Sequence, residues 1–325
     1  MRKYTTYTVF VALLLTVAFS SCRREPLPEA GDAIRFSVGA STDVEVETKA
    51  GPTTITNFQS SNIALYGSYV KDASTVTLFD GTTTLSYTAS TTTWTYTPLK
   101  YWVNGGTYDF RAVSPATAPK SGGSAGTSTG AKVEVDYNAS SDQYDLMVAS
   151  NHGISVSSPA SMTPVNLPFS HACAAVQFLF KKSGNETGKT CTITSFKLSG
   201  TNTKGTMTYA YSASDTKDVL SWSPNTIGDL FAATGTSWAV TTSFSSFDGW
   251  HYVVPQTFSG ATVQYTYVFD GDAAKTVTLS LPAVTWEPGK AYKYTIDIGI
   301  SKIDVQIESW DAYPVWVTDI PFPDK

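Results

Sequence analysis

Residues 262–298 read TVQYTYVFDGDAAKTVTLSLPAVTWEPGKAYKYTIDI, and this stretch decides the fold class. Val263, Tyr265, Tyr267 and Phe269 alternate with Gln264 and Thr266, and Val277, Leu279 and Leu281 alternate with Thr278 and Ser280. Tyr292, Tyr294, Ile296 and Ile298 alternate in the same way with Lys293, Thr295 and Asp297. Successive side chains of a strand point to opposite faces, so a period of two predicts three strands, each with one buried face. Asp270 and Asp272 flank Gly271 where a hairpin turn belongs, which explains the paired acids without catalysis.

Short runs of the same kind recur upstream. Strands are predicted at 34–38, 62–70, 75–79, 84–87, 94–96, 107–112, 133–137, 144–149, 165–169, 174–180 and 192–198, and a last one at 303–307. In residues 108–112, Asp109 and Arg111 form a polar face opposite Tyr108, Phe110 and Ala112. No stretch sustains a helical period; the best short helix is expected at 227–232. Residues 118–130, APKSGGSAGTSTG, lack large apolar side chains and are expected to form a flexible surface loop. Residues 151–164 turn to Ser, Pro and Gly, and the domain boundary is expected there. The chain is thus predicted to be all-β, with a first β-sandwich domain at 34–163, a second at 164–325 and few short helices.

Composition agrees. Only 15% of the 325 residues are charged, against about 25% in typical soluble proteins. Aromatics reach 13%, and aromatic and β-branched side chains suit a pleated, half-buried surface. A net charge of -5, with no basic cluster beyond Arg23 and Arg24, argues against a nucleic-acid partner.

The first 22 residues, MRKYTTYTVFVALLLTVAFSSC, combine Arg2 and Lys3 with an apolar run from Val9 to Phe19 and the small residues Ser20 and Ser21. That run is too short to span a bilayer, which needs about 20 residues of helix, so it predicts export. Cys22 at its end fits a bacterial lipoprotein signal, in which that cysteine is acylated and tethers the body to the outer membrane; the alternative is an ordinary secretory signal with a nearby cysteine. Residues 23–33, rich in Pro and Gly, read as a tether. Lys49-Ala50, in a polar stretch ending at Gly51-Pro52, reads as an exposed protease site. At the other end, the tail from Trp310 through Val315, Trp316, Val317 and Ile320 is apolar. Pro314, Pro321 and Pro323 confine it to an edge.

The chemistry of enzymes is hard to find. The Gly-rich stretch at 122–130, which includes the GxSxG pattern, precedes a predicted strand and has no GK[ST], so it reads neither as a nucleophile elbow nor as a phosphate-binding loop, and there is no spaced acidic ladder for calcium around Asp142 or Asp270. His171, Cys173 and Cys191 supply three possible ligands where structural zinc wants four, so no metal or other cofactor is expected. Cys173 and Cys191 read as two core cysteines. The eight tryptophans could form a carbohydrate-stacking platform on a surface glycan-binding lipoprotein, or fill sandwich cores.

Several landmarks fall in a familiar order: Lys100-Tyr101-Trp102, Gly106-Thr107-Tyr108-Asp109-Phe110-Arg111-Ala112, Tyr144-Asp145-Leu146-Met147-Val148-Ala149, and Leu167-Pro168-Phe169-Ser170-His171-Ala172-Cys173. With Trp286-Glu287-Pro288-Gly289-Lys290-Ala291-Tyr292 and the ending from Ile303 to Trp310, the set resembles the fimbrillin family of Bacteroides-type bacteria. The resemblance implies two tandem transthyretin-like sandwiches with Greek-key-type connections, lipoprotein export and assembly into surface fimbriae that support adhesion to a host protein or glycan. It further implies that a trypsin-like protease cuts at Lys49-Ala50 and frees the strand carrying Ile34, Phe36 and Val38. Another fimbrial subunit then donates a strand to the vacated groove, with the apolar tail as candidate donor. Stalk, tip and anchor subunits remain open alternatives within that reading.

Overall fold

The computed structural model describes residues 32–40, 55–183, 188–298 and 302–309. In chain order the elements of the first half are β1 (Phe36–Ala40), α1 (Ile55–Ser60), β2 (Ile63–Lys71), β3 (Ser74–Thr88), β4 (Thr93–Thr95), β5 (Thr107–Ser114), β6 (Lys132–Asn138), β7 (Met147–Ser155) and β8 (Val165–His171). The second half continues with β9 (Ala174–Lys181), β10 (Cys191–Ser212), β11 (Lys217–Val240), β12 (Ser245–Val253), β13 (Gln256–Thr257), β14 (Thr262–Phe269), β15 (Lys275–Ser280), β16 (Thr285–Trp286), β17 (Lys290–Asp297) and β18 (Lys302–Ser309). The all-β expectation holds.

Alternation in sequence becomes alternation in burial. Along β14 and β17 the aromatic and aliphatic positions are buried while the intervening Gln, Thr and Lys are partly exposed. The predicted hairpin joins β14 to β15, with Gly271 at a φ of 81° and the Asp272 amide bonded to the Phe269 carbonyl at 2.9 Å. Glycine adopts that left-handed conformation without the steric cost of a side chain.

Seven strands form one sheet in the order β1-β8-β7-β5-β2-β3-β4. Both of its faces are covered. Ile63, Leu65, Phe79, Tyr108, Phe110, Ala112, Ala149, Leu167 and Phe169 build one core together with Ile34, Phe36 and Val38. Ala64, Tyr66, Val113 and Val148, pointing the other way, join a second and larger core with β6 and the strands after it. Those later strands form a sheet β11-β10-β14-β15, to which β6 pairs through β10, and a sheet β12-β9-β17-β18.

Three local expectations change, and one strand runs past its expected end. Residues 227–232 lie inside β11, not in a helix: Asn202 pairs with Ile227 and Leu198 with Leu230 across the hairpin. The spacing of Ile227, Leu230 and Phe231 fits a helical face, but Gly228 and the Thr-rich flanks favour extended chain, and a long partner strand decides the outcome. Residues 75–79 and 84–87 belong to one strand, bent at Gly81 with a φ of 93°. Residues 118–130 are tied down, because the Lys120 and Ser124 amides bond the Glu134 and Lys132 carbonyls along the outer edge of β6. Finally, β7 continues to Ser155, and β8, beyond residue 163, pairs with β1 and β7. By sheet membership, the change from the first sheet to the later ones falls between β8 and β9.

Candidate functional site

Strand β1 and the residues just ahead of it, 32–34, are held on two sides. The strand runs parallel to β8, with Phe36 opposite Val165 and Ala40 opposite Phe169. The Val165 amide donates to the Arg35 carbonyl at 2.7 Å. On the other side the segment after β4 lies antiparallel: Ala33 bridges Tyr101, the Ile34 amide donates to the Lys100 carbonyl at 2.8 Å, and the Trp102 amide donates to the Asp32 carbonyl at 2.9 Å. The sheet therefore curls until β1 approaches its opposite edge, and β1 fills the gap.

Ile34, Phe36 and Val38, the three residues expected on the removable strand, are 0%, 6% and 3% exposed. Phe36 meets Phe110, Tyr96 and Phe79 at ring-centroid distances of 5.4, 5.7 and 6.0 Å, each edge-on. Such edge-to-face contacts each add about 0.5–1.5 kcal/mol beyond the area buried. The Tyr96 hydroxyl donates to the Ile34 carbonyl at 2.8 Å and accepts from the Lys100 amide at 3.2 Å.

The dependence is mutual. Residues 165–169 of β8 pair with β1, whereas the ladder of β8 with β7 is His171 opposite Met147 and Ser170 opposite Val148, with the Asn151 side-chain amide donating to the Asn166 carbonyl at 3.0 Å. Taking β1 away would strip backbone partners from Val165, Lys100 and Trp102 and uncover an apolar trough, the condition under which a sheet edge accepts another chain. Sequence reading located the strand but not its walls. Tyr96 and Lys100-Tyr101-Trp102 stand out in the sequence, yet only the curl of the sheet brings them to β1.

Cys22, Lys49, Ala50, Trp310, Val315, Trp316, Val317 and Ile320 lie outside the described residues. Cys173 and Cys191 are buried and not joined in a disulfide, and burial pushes the Cys173 thiol above its ordinary range. His171 Nδ1 sits 2.9 Å from Asp145 Oδ1. Of the tryptophans among the described residues, Trp102 and Trp286 are buried and Trp94, Trp222, Trp238 and Trp250 are partly buried. Their indoles are engaged: Trp222 Nε1 donates to the Ala172 carbonyl at 2.8 Å and Trp286 Nε1 to the Tyr294 hydroxyl at 3.1 Å.

A buried polar cluster joins the first sheet to the β10–β11 hairpin. Arg111 on β5 donates through Nε and Nη2 to both carboxylate oxygens of Asp218 on β11, at 2.6 and 2.7 Å, with both side chains fully buried. Its remaining donors reach the Ser124 and Gly126 carbonyls at 2.7 and 2.9 Å. His152 on β7 places Nδ1 3.2 Å from Asp109 Oδ1, and Nε2 3.1 Å from Asp218 Oδ1 but off the line of a hydrogen bond, so the second contact is ionic. Burial alone would lower the His152 pKa; the carboxylates of Asp109 and Asp218 outweigh it and hold the pKa above 6.5. Burial would likewise raise Asp218, but His152 and Arg111 hold it below 3.8. The polar face predicted for residues 109 and 111 exists, but it faces protein rather than water.

With the geometry in place, the comparisons with known proteins are informative. A fimbrial protein from Bacteroides vulgatus superposes with a TM-score of 0.60 at 15% identity, covering 86% of this chain and 99% of that one. A candidate cell adhesion protein from Bacteroides uniformis gives a TM-score of 0.51 at 17% identity, with 86% and 99% covered. These likenesses show a shared fold. No curated protein shows a significant sequence match. The model of the fimbrillin-like family matches residues 48–310, most of the chain. The chain belongs to the fimbrillin-like family.

Proposed function

We propose that the protein is a structural subunit of a cell-surface fimbria that assembles by strand exchange. The observation that carries this reading is β1 with the residues just ahead of it: a short segment at the start of the fold, joined to the rest through residues 41–54, with 36–40 paired to β8, 32–34 paired to residues 100–102, and its apolar side chains seated in a trough. Cutting at Lys49-Ala50 by a trypsin-like protease would free it. A strand from another subunit, with the tail containing Trp310, Val315, Trp316, Val317 and Ile320 as candidate donor, would then restore both sets of backbone bonds. Export as a lipoprotein through Cys22 would place the precursor at the outer membrane before cleavage. A structural role requires no catalysis. The glycan-stacking alternative draws no support from the six described tryptophans, none of which is exposed.

The test is limited trypsin treatment of residues 23–325, read by N-terminal sequencing and an unboiled denaturing gel. A new terminus at Ala50 with a ladder of detergent-resistant multimers is the expected result. A monomer that is cut there and forms no ladder would sink the stalk assignment and favour a tip or anchor subunit.

A further inference from the structure

We propose that the trough under β1 selects an extended segment with an apolar, an aromatic and a second apolar residue at alternate positions, and that the Tyr96 hydroxyl anchors the backbone of that segment whatever its side chains. The inference rests on the reading above, that this trough accepts a strand from another subunit, and it names what that strand must carry; if the rule holds, the tail, in which no aromatic residue has aliphatic residues at both second neighbours, is not the donor.

Two features of the trough hold that segment. The first is a box of rings. Phe79, Tyr96 and Phe110 surround Phe36 edge-on, and the box is built without it, since Phe79 and Tyr96 already meet at 5.2 Å and 85°. An aliphatic residue in that box would keep part of the buried area but forfeit three ring contacts. The second feature is the Tyr96 hydroxyl. The Lys100 amide donates to it at 3.2 Å and so positions its oxygen, leaving its proton for the Ile34 carbonyl at 2.8 Å. The Lys100 carbonyl, 3.4 Å away, is a second acceptor for that proton when the trough is empty.

A carbonyl is present on every residue, so the hydroxyl alone reads no side chain. It adds affinity, while the ring box two residues further on, together with the alternation of side chains, fixes the register. Sliding the incoming strand by one residue turns its apolar side chains out of the trough, because the side-chain period is two. Sliding it by two puts an aliphatic residue among the rings and the aromatic residue in a slot that Ile34 or Val38 now fills. Only one alignment satisfies both the box and the alternation. Outward positions lie away from the ring box: Arg35 is exposed, and Ser37, whose hydroxyl donates to the Val165 carbonyl at 3.4 Å, is partly so.

The experiment uses the full chain cut once within residues 41–54 at an inserted site for a sequence-specific protease, so that β1 remains seated without a covalent link. A fluorescent synthetic peptide of residues 32–40, DAIRFSVGA, is titrated in and its uptake followed by anisotropy. Phe36→Leu in the peptide is expected to weaken uptake about tenfold and Phe36→Ala about a hundredfold. A peptide of the same composition with the three apolar residues shifted by one position should not be taken up. Tyr96→Phe in the protein should weaken every peptide by a common factor of about five, the effect of one neutral hydrogen bond, without changing their order. If uptake is indifferent to residue 36, or if Tyr96→Phe leaves it unchanged, the selection rule is wrong although strand exchange stands. If the cut wild-type chain takes up no peptide, both the rule and the exchange reading fall.

Discussion

At Arg111 the chain places a guanidinium beyond the reach of solvent and gives it four acceptors, two carboxylate oxygens of Asp218 and the carbonyls of Ser124 and Gly126. The cluster holds two carboxylates, Asp109 and Asp218, against Arg111 and His152. With His152 protonated its formal charge is zero, and with His152 neutral it is left one negative charge in excess. Tyr209 and Tyr211 of β10 also border it: the Tyr209 hydroxyl lies 3.0 Å from Ser150 Oγ, and the Tyr211 ring stacks edge-on to His152 at 5.4 Å. Because the folded pKa of His152 lies above 6.5, its contribution to stability is complete below pH 6.5 and is lost as pH rises through the folded value. Asp218 works in the opposite sense: its contribution is complete above 3.8 and is lost as pH falls through its lowered folded value. Urea unfolding should therefore show the wild type losing its margin over His152→Gln as the pH is raised above 6.5. A margin that is flat or grows over that range would mean that His152 is not charged in the fold. None of these partners was legible locally: Asp218 lies 107 positions from Arg111, and the alternation around residue 110 fixes only which face is polar, not what covers it.

The elements best read from sequence are those with one wet face. In β8, β14 and β17 the solvent leaves its mark at every second residue, and the predicted spans fall within a few residues of the observed ones. Where both faces are covered that mark fades, and β7 continues past its predicted end through Asn151 and His152 to Ser155. Residues 118–130 failed for another reason. Their Gly and Ser content describes what the backbone can adopt, not what it bonds. Gly122, Gly126 and Gly130 take φ of 84°, 128° and 94°, letting the segment fold along β6 while its carbonyls reach Arg111. Arg111→Ala should lower stability by about 3–5 kcal/mol, because it leaves the Asp218 carboxylate buried without its partner. In hydrogen exchange the Ser124 amide, protected in the wild type by the Lys132 carbonyl, should be among those that open first in the variant. Exchange of Ser124 at random-coil rate in the wild type would restore the flexible-loop description.

For the whole molecule, the seven-stranded sheet acts as a shared wall. One face closes on the trough that holds β1, and the other is finished by β6 and the strands after it, so the larger core draws on both halves of the chain. β6 makes the point most sharply: it lies within the first half, yet all of its strand pairing is to β10, from Lys204 opposite Asn138 to Ala210 opposite Lys132. Composition suggested a break near 151–164 because the chain there turns to Ser, Pro and Gly, but such a stretch marks a turn as readily as a boundary. A fragment of residues 34–163 would lack β8, the parallel partner of β1, and β10, the partner of β6. It would also expose Val133, Val135 and Tyr137, which are essentially inaccessible in the full chain. Losing even two or three such side chains from a core removes several kcal/mol at about 1.5–3 kcal/mol each, comparable with the whole stability of a domain this size. The fragment is therefore expected to show collapsed amide dispersion in NMR and no cooperative thermal transition, whereas the full chain melts cooperatively. A dispersed spectrum from residues 34–163 would restore the break at 163/164 and demote the shared wall to a contact between independent domains. A collapsed one would mean that the walls of the β1 trough take their rigidity from both halves of the chain.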